Sequence, residues 1–236
     1  MKILTAHVKL FRPLNLFIGA FSVFISSAIL KSLYFTQELS LAIITVIFYN
    51  AGANSLNDFI DQKIDQLNRP NRPLPSKAVS TKYALISSII LFISGSISVL
   101  FLSVDAKIIA LFVVLPLIIV YNIKLKKLPL IGNAIISAIL GLTFLFSGAV
   151  FGNMNKMLIP CFLAFGLTFV REIIKDIEDT AGDQLEGVST FPIIEFFKKH
   201  FFGKGKWRII IIIVLVLIIP VSMTTTAPVE VIAKNP

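Results

Sequence analysis

Seven stretches of this chain, residues 14–30, 39–57, 83–102, 107–121, 131–151, 157–174 and 207–223, are apolar almost throughout. At a rise of about 1.5 Å per residue, each can cross or nearly cross the roughly 30 Å apolar core of a bilayer. Backbone N–H and C=O groups find no water there, so each stretch must satisfy them internally as a helix. The expected fold is all-α, a multi-span transmembrane helical bundle of about seven spans. Composition agrees: 56% of residues are hydrophobic and 15% charged, with a mean hydropathy of +0.88, far from a soluble globular domain.

In such a chain the net charge of +9 is informative through its distribution, and no nucleic-acid partner is expected. If the N-terminus is cytoplasmic, 18 of the 22 Lys and Arg residues fall on the inner side, leaving Lys31, Lys107, Lys156 and Lys234 outside. The positive-inside rule then selects that orientation for a multi-pass plasma-membrane protein. Residues 14–30 read as a retained span, because no small-residue cleavage site follows them. The single Cys161 sits in an apolar run and reads as a small buried hydrophobe. His7 and His200 are too far apart in sequence to suggest a zinc site.

Acids gather where two of the apolar stretches end, in Asn57-Asp58-Phe59-Ile60-Asp61-Gln62-Lys63-Ile64-Asp65 and Lys175-Asp176-Ile177-Glu178-Asp179-Thr180-Ala181-Gly182-Asp183. Acids at a membrane edge are tolerated mainly when they hold a cation or line a polar cavity. On a helix advancing about 100° per residue from Asn57, Asn50, Asp61, Asn54, Asp65 and Asp58 fall at about 20°, 40°, 60°, 80° and 100°. Counted from Lys175, the same angles belong to Thr168, Asp179, Glu172, Asp183 and Asp176, each 118 residues after its counterpart. One DxxxD alone reads best as a solvated helix end. Two matched stripes do not, because an unsatisfied asparagine amide in lipid costs several kcal/mol, so the stripes are expected to face a wet interior. Hard oxygen ligands without His or Cys favour Mg2+, which binds through a few carboxylates and a substrate phosphate.

Cations lie close in sequence. Arg69 and Arg72 follow the first stripe in Asn68-Arg69-Pro70-Asn71-Arg72-Pro73-Leu74-Pro75, whose prolines forbid a regular helix and stiffen the loop. Arg171 and Lys175 flank the second stripe, and Tyr121, Lys124, Lys126 and Lys127 end the fourth span. A lone cluster of this kind is usually a topology signal or a contact for anionic lipid. Beside two acid stripes it suggests a diphosphate site, with magnesium bridging carboxylates to phosphate and the cations neutralising the remaining charge.

These motifs resemble the UbiA-type intramembrane prenyltransferases, with NDxxDxxxD intact at Asn57 to Asp65 and a DxxxD element at Asp179 to Asp183. Arg12-Pro13-Leu14-Asn15, Asn68 to Pro73 and Thr190-Phe191-Pro192-Ile193 also look like family landmarks, and the resemblance runs from about Arg12 to about Met223. It implies Mg2+ and diphosphate binding by Asn57, Asp61, Asp179 and Asp183, with Asp65 as a further ligand and Asp58 and Asp176 as further catalytic acids. Asn15, Asn54, Arg69, Arg72, Tyr121, Lys126, Arg171, Glu172 and Lys175 are the implied substrate-binding residues. The family reaction is ionisation of an allylic diphosphate followed by attack of an acceptor on the allylic cation, which an apolar interior shelters from water.

Asn68 to Pro73 and Arg171 to Asp179 look most like the archaeal branch that transfers a geranylgeranyl group to geranylgeranylglyceryl phosphate. The implied partners are a prenyl diphosphate and a lipid acceptor, with Lys124, Lys126 and Lys127 for the acceptor phosphate. Alternatives are prenylation of an aromatic quinone precursor and a transporter using the acids as a cation path. The CDP-alcohol phosphotransferases lack support, since their Asp-Gly and Ala-Arg landmarks are absent. The family fold has nine helices in two related halves, so residues 1–223 are expected to form one domain without the last two helices, and 224–236 a short tail.

Overall fold

The computed structural model describes residues 2–30, 36–128 and 130–183, with side chains throughout except at 2–4, 68 and 177–183. All of them belong to one compact unit, Met1–Val188. The predicted span 207–223, the tail 224–236 and the Thr190 to Ile193 landmark lie outside the described residues.

Every regular element among the described residues is helical: α1 (Lys2–Phe11), α2 (Pro13–Leu30), α3 (Gln37–Ile60), α4 (Gln62–Asn68), α5 (Thr81–Val99), α6 (Val104–Lys107), a π-helical stretch (Ile108–Val114), α7 (Leu115–Ile123), α8 (Ile131–Val150) and α9 (Leu158–Asp183), with 3-10 turns at Leu125–Lys127 and Asn155–Met157. Six segments are long and apolar enough to cross a membrane, namely Pro13–Leu30, Gln37–Ile60, Thr81–Val99, Val104–Ile123, Ile131–Val150 and Asn155–Asp176. Each contains most or all of a span expected from the sequence. The fourth starts three residues early, because Ser103 caps α6 by accepting the Ala106 N–H, so the charged Asp105 and Lys107 sit inside a helix rather than before it. Side chains such as Phe17, Phe21 and Ile25 on α2 and Phe162 on α9 are exposed, as a surface facing lipid tails requires.

Within lipid the helices gain little by hiding oil from oil, so close approach of small residues carries the packing. At Gly52 an added Cβ would meet the Phe92 ring at 3.0 Å, and at Gly141 it would meet the Cys161 carbonyl oxygen at 2.8 Å. These glycines therefore set the α3–α5 and α8–α9 spacings. Ser88 Oγ adds a buried hydrogen bond across the first pair, donating to the Gly52 carbonyl at 2.9 Å.

One end of the bundle is a close-packed apolar plug of Leu39, Ala42, Val99, Leu102, Ala106, Ala149, Val150 and Phe151. The other end carries the polar motifs. There α1 lays Ala6 and Leu10 against Leu74 and Val79 of the proline-rich loop and Ala84 of α5, while His7 meets Tyr83 edge-on at 4.5 Å. Between the two ends lies an apolar cavity, lined by α3, the π-helical stretch with α7, and α8.

Candidate functional site

The first acid stripe runs from the end of α3 through Asp61 at the α3–α4 junction to Asp65 on α4, and tertiary contacts divide it. Asn57 and Asp61 turn to one cation: Lys126 Nζ donates to Asp61 Oδ1 at 2.5 Å and to Asn57 Oδ1 at 3.5 Å. Lys126 comes from the short turn after α7, so this contact ties the fourth span to the end of the second. Asn50, in the same angular sector, lines the apolar cavity below.

Asn54, Asp58 and Asp65 occupy the other sector and turn to arginines and backbone. Arg12 Nη2 bonds Asp58 Oδ1, and Arg12 Nη1 reaches Asn54 Oδ1 at 3.4 Å. Asn54 Nδ2 donates to the Phe11 carbonyl at 2.9 Å. Arg72 Nη1 bonds Asp65 Oδ2 at 2.6 Å and lies 3.6 Å from Asp58 Oδ1. Asp58 and Asp65 are 3% and 5% exposed, and burial of a carboxylate is tolerable only with such paired, hydrogen-bonded charge. The resemblance groups Asp58 and Asp65 with the cation-binding acids; here both are engaged by arginines that also fix the loop and the α1–α2 junction. Asp58 lies about 60° round the helix from Asp61, and Asp65 sits beyond the α3–α4 junction, on α4.

Arg12 was noted in the sequence only as a landmark, and its role depends on an unusual backbone. Its φ is +53°, a left-handed conformation that a bulky residue adopts only when its surroundings demand it. The kink breaks α1 from α2 and directs the guanidinium into the Asp58 pocket.

In the second stripe Glu172 is buried, bonded to Arg171 Nη2 and 3.5 Å from Lys175 Nζ. Asp176 Oδ2 accepts from Asn133 Nδ2 of α8 at 2.7 Å. Asn133 was missed, though a signal was present: it lies 118 residues after Asn15, the offset that relates the stripes. Asp179 and Asp183 lie in α9, and their side chains fall outside the described set. Tyr121 stands within electrostatic reach of Glu172 and Asp176 of the second motif and of Asp61 of the first, so the two motifs lie close to one another. Asn15 is exposed in the first turn of α2, and Arg69 is exposed just beyond α4. Among the described residues, no group of three or more His, Cys, Asp or Glu converges as a metal cage. The donors nevertheless suit a hard cation: two oxygens, Asn57 Oδ1 and Asp61 Oδ1, already aim at one positive charge.

Comparisons with known proteins agree with this architecture. A model of the UbiA prenyltransferase family matches residues 15–233. The chain is 37% identical over 193 residues to a digeranylgeranylglyceryl phosphate synthase of Methanosphaera stadtmanae, covering 82% of this chain and 70% of that protein. It is 41% identical over 190 residues to the synthase of Methanococcoides burtonii, covering 78% and 67%. The match thus spans about two thirds of the length of these curated relatives. A solved structure offering mechanistic insights into digeranylgeranylglyceryl phosphate synthase in membranes superposes with a TM-score of 0.75 at 31% identity, covering 95% of this chain and 78% of that one. A UbiA homolog from Archaeoglobus fulgidus bound to GPP and Mg2+ shares the fold, with a TM-score of 0.63 at 16% identity, covering 93% and 75%.

Proposed function

The chain belongs to the UbiA prenyltransferase family, and on that premise we propose that it transfers a geranylgeranyl group from geranylgeranyl diphosphate to geranylgeranylglyceryl phosphate, with Mg2+ at its acidic motifs. The observation that carries the reading is the convergence of Asn57 and Asp61 on one cation, beside a tyrosine that also feels the second motif and above an apolar cavity. That arrangement sets polar, charge-bearing groups of both motifs above an apolar interior. Relatives at 33–41% identity named for lipid-phosphate prenylation favour the lipid acceptor over an aromatic one.

Asn57, Asp61, Asp179 and Asp183 would hold the metal, and bound Mg2+ would supply charge neutralisation to the departing diphosphate. Lys126 then exchanges its carboxylate partner for a phosphate oxygen and remains as a fixed positive charge at the mouth. Arg72, held by Asp65 and Asp58, stiffens the loop on which Arg69 sits. The allylic C1–O bond breaks with its electron pair leaving on diphosphate. The acceptor hydroxyl oxygen bonds C1, and its proton passes to a carboxylate or to the released diphosphate. The cavity below holds the tail and keeps water from the cation. A cytoplasmic polar mouth in the plasma membrane is part of the same reading, supported by the bias of 18 of 22 basic residues.

The test gives the purified full chain geranylgeranyl diphosphate with either geranylgeranylglyceryl phosphate or 4-hydroxybenzoate. Product should form with the lipid acceptor, stop in chelator and return with added Mg2+. Prenylation of the aromatic acid alone would overturn the acceptor, and transfer unaffected by chelator would overturn the metal.

A further inference from the structure

Asn50 lies on the same side of α3 as Asn57, two turns and about 10 Å deeper in the bundle. Its amide is unspent. Asn54 donates to the Phe11 carbonyl and Asn122 of α7 turns back to the Ile118 carbonyl, both at 2.9 Å, whereas Asn50 makes no hydrogen bond among the described residues. The polar groups beside it on α3 are satisfied: Thr45 Oγ1 donates to the Leu41 carbonyl at 2.8 Å, and the Tyr49 hydroxyl pairs with Ser96 at 3.0 Å. An amide left unpaired at this depth is costly, so the side chain calls for a partner that the protein does not supply.

The amide is also held in place. Gly19 of α2 approaches so closely that an added Cβ would stand 2.5 Å from Asn50 Nδ2 and 3.0 Å from Val46 Cγ1. The donor end of the side chain therefore lies at the seam between α2 and α3, and α8 packs against both helices. With the diphosphate on a metal at Asn57 and Asp61, C1 of the prenyl donor lies within about 6 Å of that metal, and an attacking oxygen about 3 Å beyond C1. A hydrogen-bond donor serving that part of the acceptor stands roughly 10 Å from the metal, which is the depth of Asn50. Away from its phosphate, the lipid acceptor carries two oxygens there, the reacting hydroxyl and, on the next glycerol carbon, the ether oxygen. The ether oxygen has no proton and can only accept, and an amide NH2 is a donor that fits it.

We propose that Asn50 Nδ2 donates a hydrogen bond to the ether oxygen of the lipid acceptor and thereby turns the neighbouring hydroxyl toward C1 of the donor. This rests on the prenyl-transfer reading above and adds to it an acceptor contact outside both acidic motifs. Asn50 gains and loses no proton: the hydroxyl proton stays free to leave as the new C–O bond forms and the C1–O bond to diphosphate breaks. Gly19 serves the contact by leaving the space that the amide occupies.

The full chain is assayed with geranylgeranyl diphosphate and two acceptors, geranylgeranylglyceryl phosphate and its analogue with a methylene in place of the ether oxygen. Donor-dependent thermal stabilisation in Mg2+ is measured alongside, without acceptor. The wild type should use the ether acceptor about tenfold better than the methylene analogue in kcat/KM, the scale of one hydrogen bond. Asn50→Leu should lose about tenfold on the ether acceptor, treat the two acceptors alike and keep the donor-dependent stabilisation. Gly19→Ala, which displaces only the tip of the Asn50 side chain and the Val46 methyl, should narrow the preference in the same direction; if Asn50→Leu does not fold, Gly19→Ala decides alone. A wild type that does not distinguish the acceptors, an Asn50→Leu variant that still prefers the ether, or one that loses donor stabilisation would overturn the contact while leaving prenyl transfer intact. Absence of both transfer and stabilisation in the wild type would instead sink the function on which it rests.

Discussion

Asp58 and Asp61 are three residues apart in one motif, yet Asp58 is held by Arg12 and Arg72 while Asp61 meets Lys126. The two acids should therefore fail differently when neutralised. Asp58→Asn leaves two arginines short of their counter-charge, a loss worth about 3 kcal/mol at the lower end for a broken buried pair, since both arginines are partly in water. Thermal melting in detergent should drop, with the Mg2+ half-saturation of activity little changed. Asp61→Asn should also lower melting, because it leaves the mostly buried Lys126 ammonium without its carboxylate, and should in addition raise the Mg2+ requirement about tenfold or more, in line with loss of a charged ligand contact. Identical Mg2+ titrations for the two variants would contradict this division.

Lys126 supplies a second contrast at the same scale. Its ammonium competes with any metal for Asn57 and Asp61, so Lys126→Met should tighten Mg2+ binding measured without substrate. The same change removes a cation from the diphosphate, and kcat should fall by about a hundredfold, the scale of one lost charge-stabilising donor. Calorimetry with Mg2+ alone, set beside steady-state kinetics, separates the two effects.

Among the elements, α9 carries the second motif and α8 the Asn133 that holds Asp176, and their spacing is set at Gly141. Because a Cβ there would meet the Cys161 carbonyl oxygen at 2.8 Å, Gly141→Leu should force the helices apart and break the Asn133 to Asp176 bond, with lowered melting and weak activity. Gly166 in α9 has no atom near an added Cβ, so Gly166→Ala should be neutral or stabilising by up to about 1 kcal/mol, the helix-propensity gain. Circular dichroism melts of both variants test the pair together. Element α1 is a different case. It is too short to span, and its apolar residues Ala6 and Leu10 are buried against the proline loop rather than in lipid. The Arg12 kink makes that docking possible.

For the whole molecule, the repeat of 118 residues extends beyond the acids in which it is legible. Arg12 and Leu130 are 118 apart, and both have left-handed backbones, φ +53° and +60°. The helices that follow them, α2 and α8, begin 118 apart as well, at Pro13 and Ile131. Asp58 and Asp176, the corresponding acids, are held by different chemistry, an arginine in the first half and the Asn133 amide in the second. Asn133→Ala should weaken donor binding by about tenfold, the value of a hydrogen bond to a charged group. Asn133→Asp should be worse, because it sets like charges against each other. Donor-dependent thermal shifts at fixed Mg2+ check both.

Helical spans, the ends at which the acids cluster, and the offset between the two motifs could all be read along the chain. Hydropathy and the 100° helical step are properties of consecutive residues, which no distant contact alters. The angular order of Asn57, Asp61, Asp65 and Asp58 was equally legible, but it locates a face and names no neighbour. Lys126 is 65 residues from Asp61, and Arg12 is 46 from Asp58. Which cation meets which acid, which helices line the apolar cavity, and that Asn133 serves Asp176 follow only when helices remote in sequence pack side by side, because an ionic contact acts over a few ångströms of space whatever the length of chain between its partners.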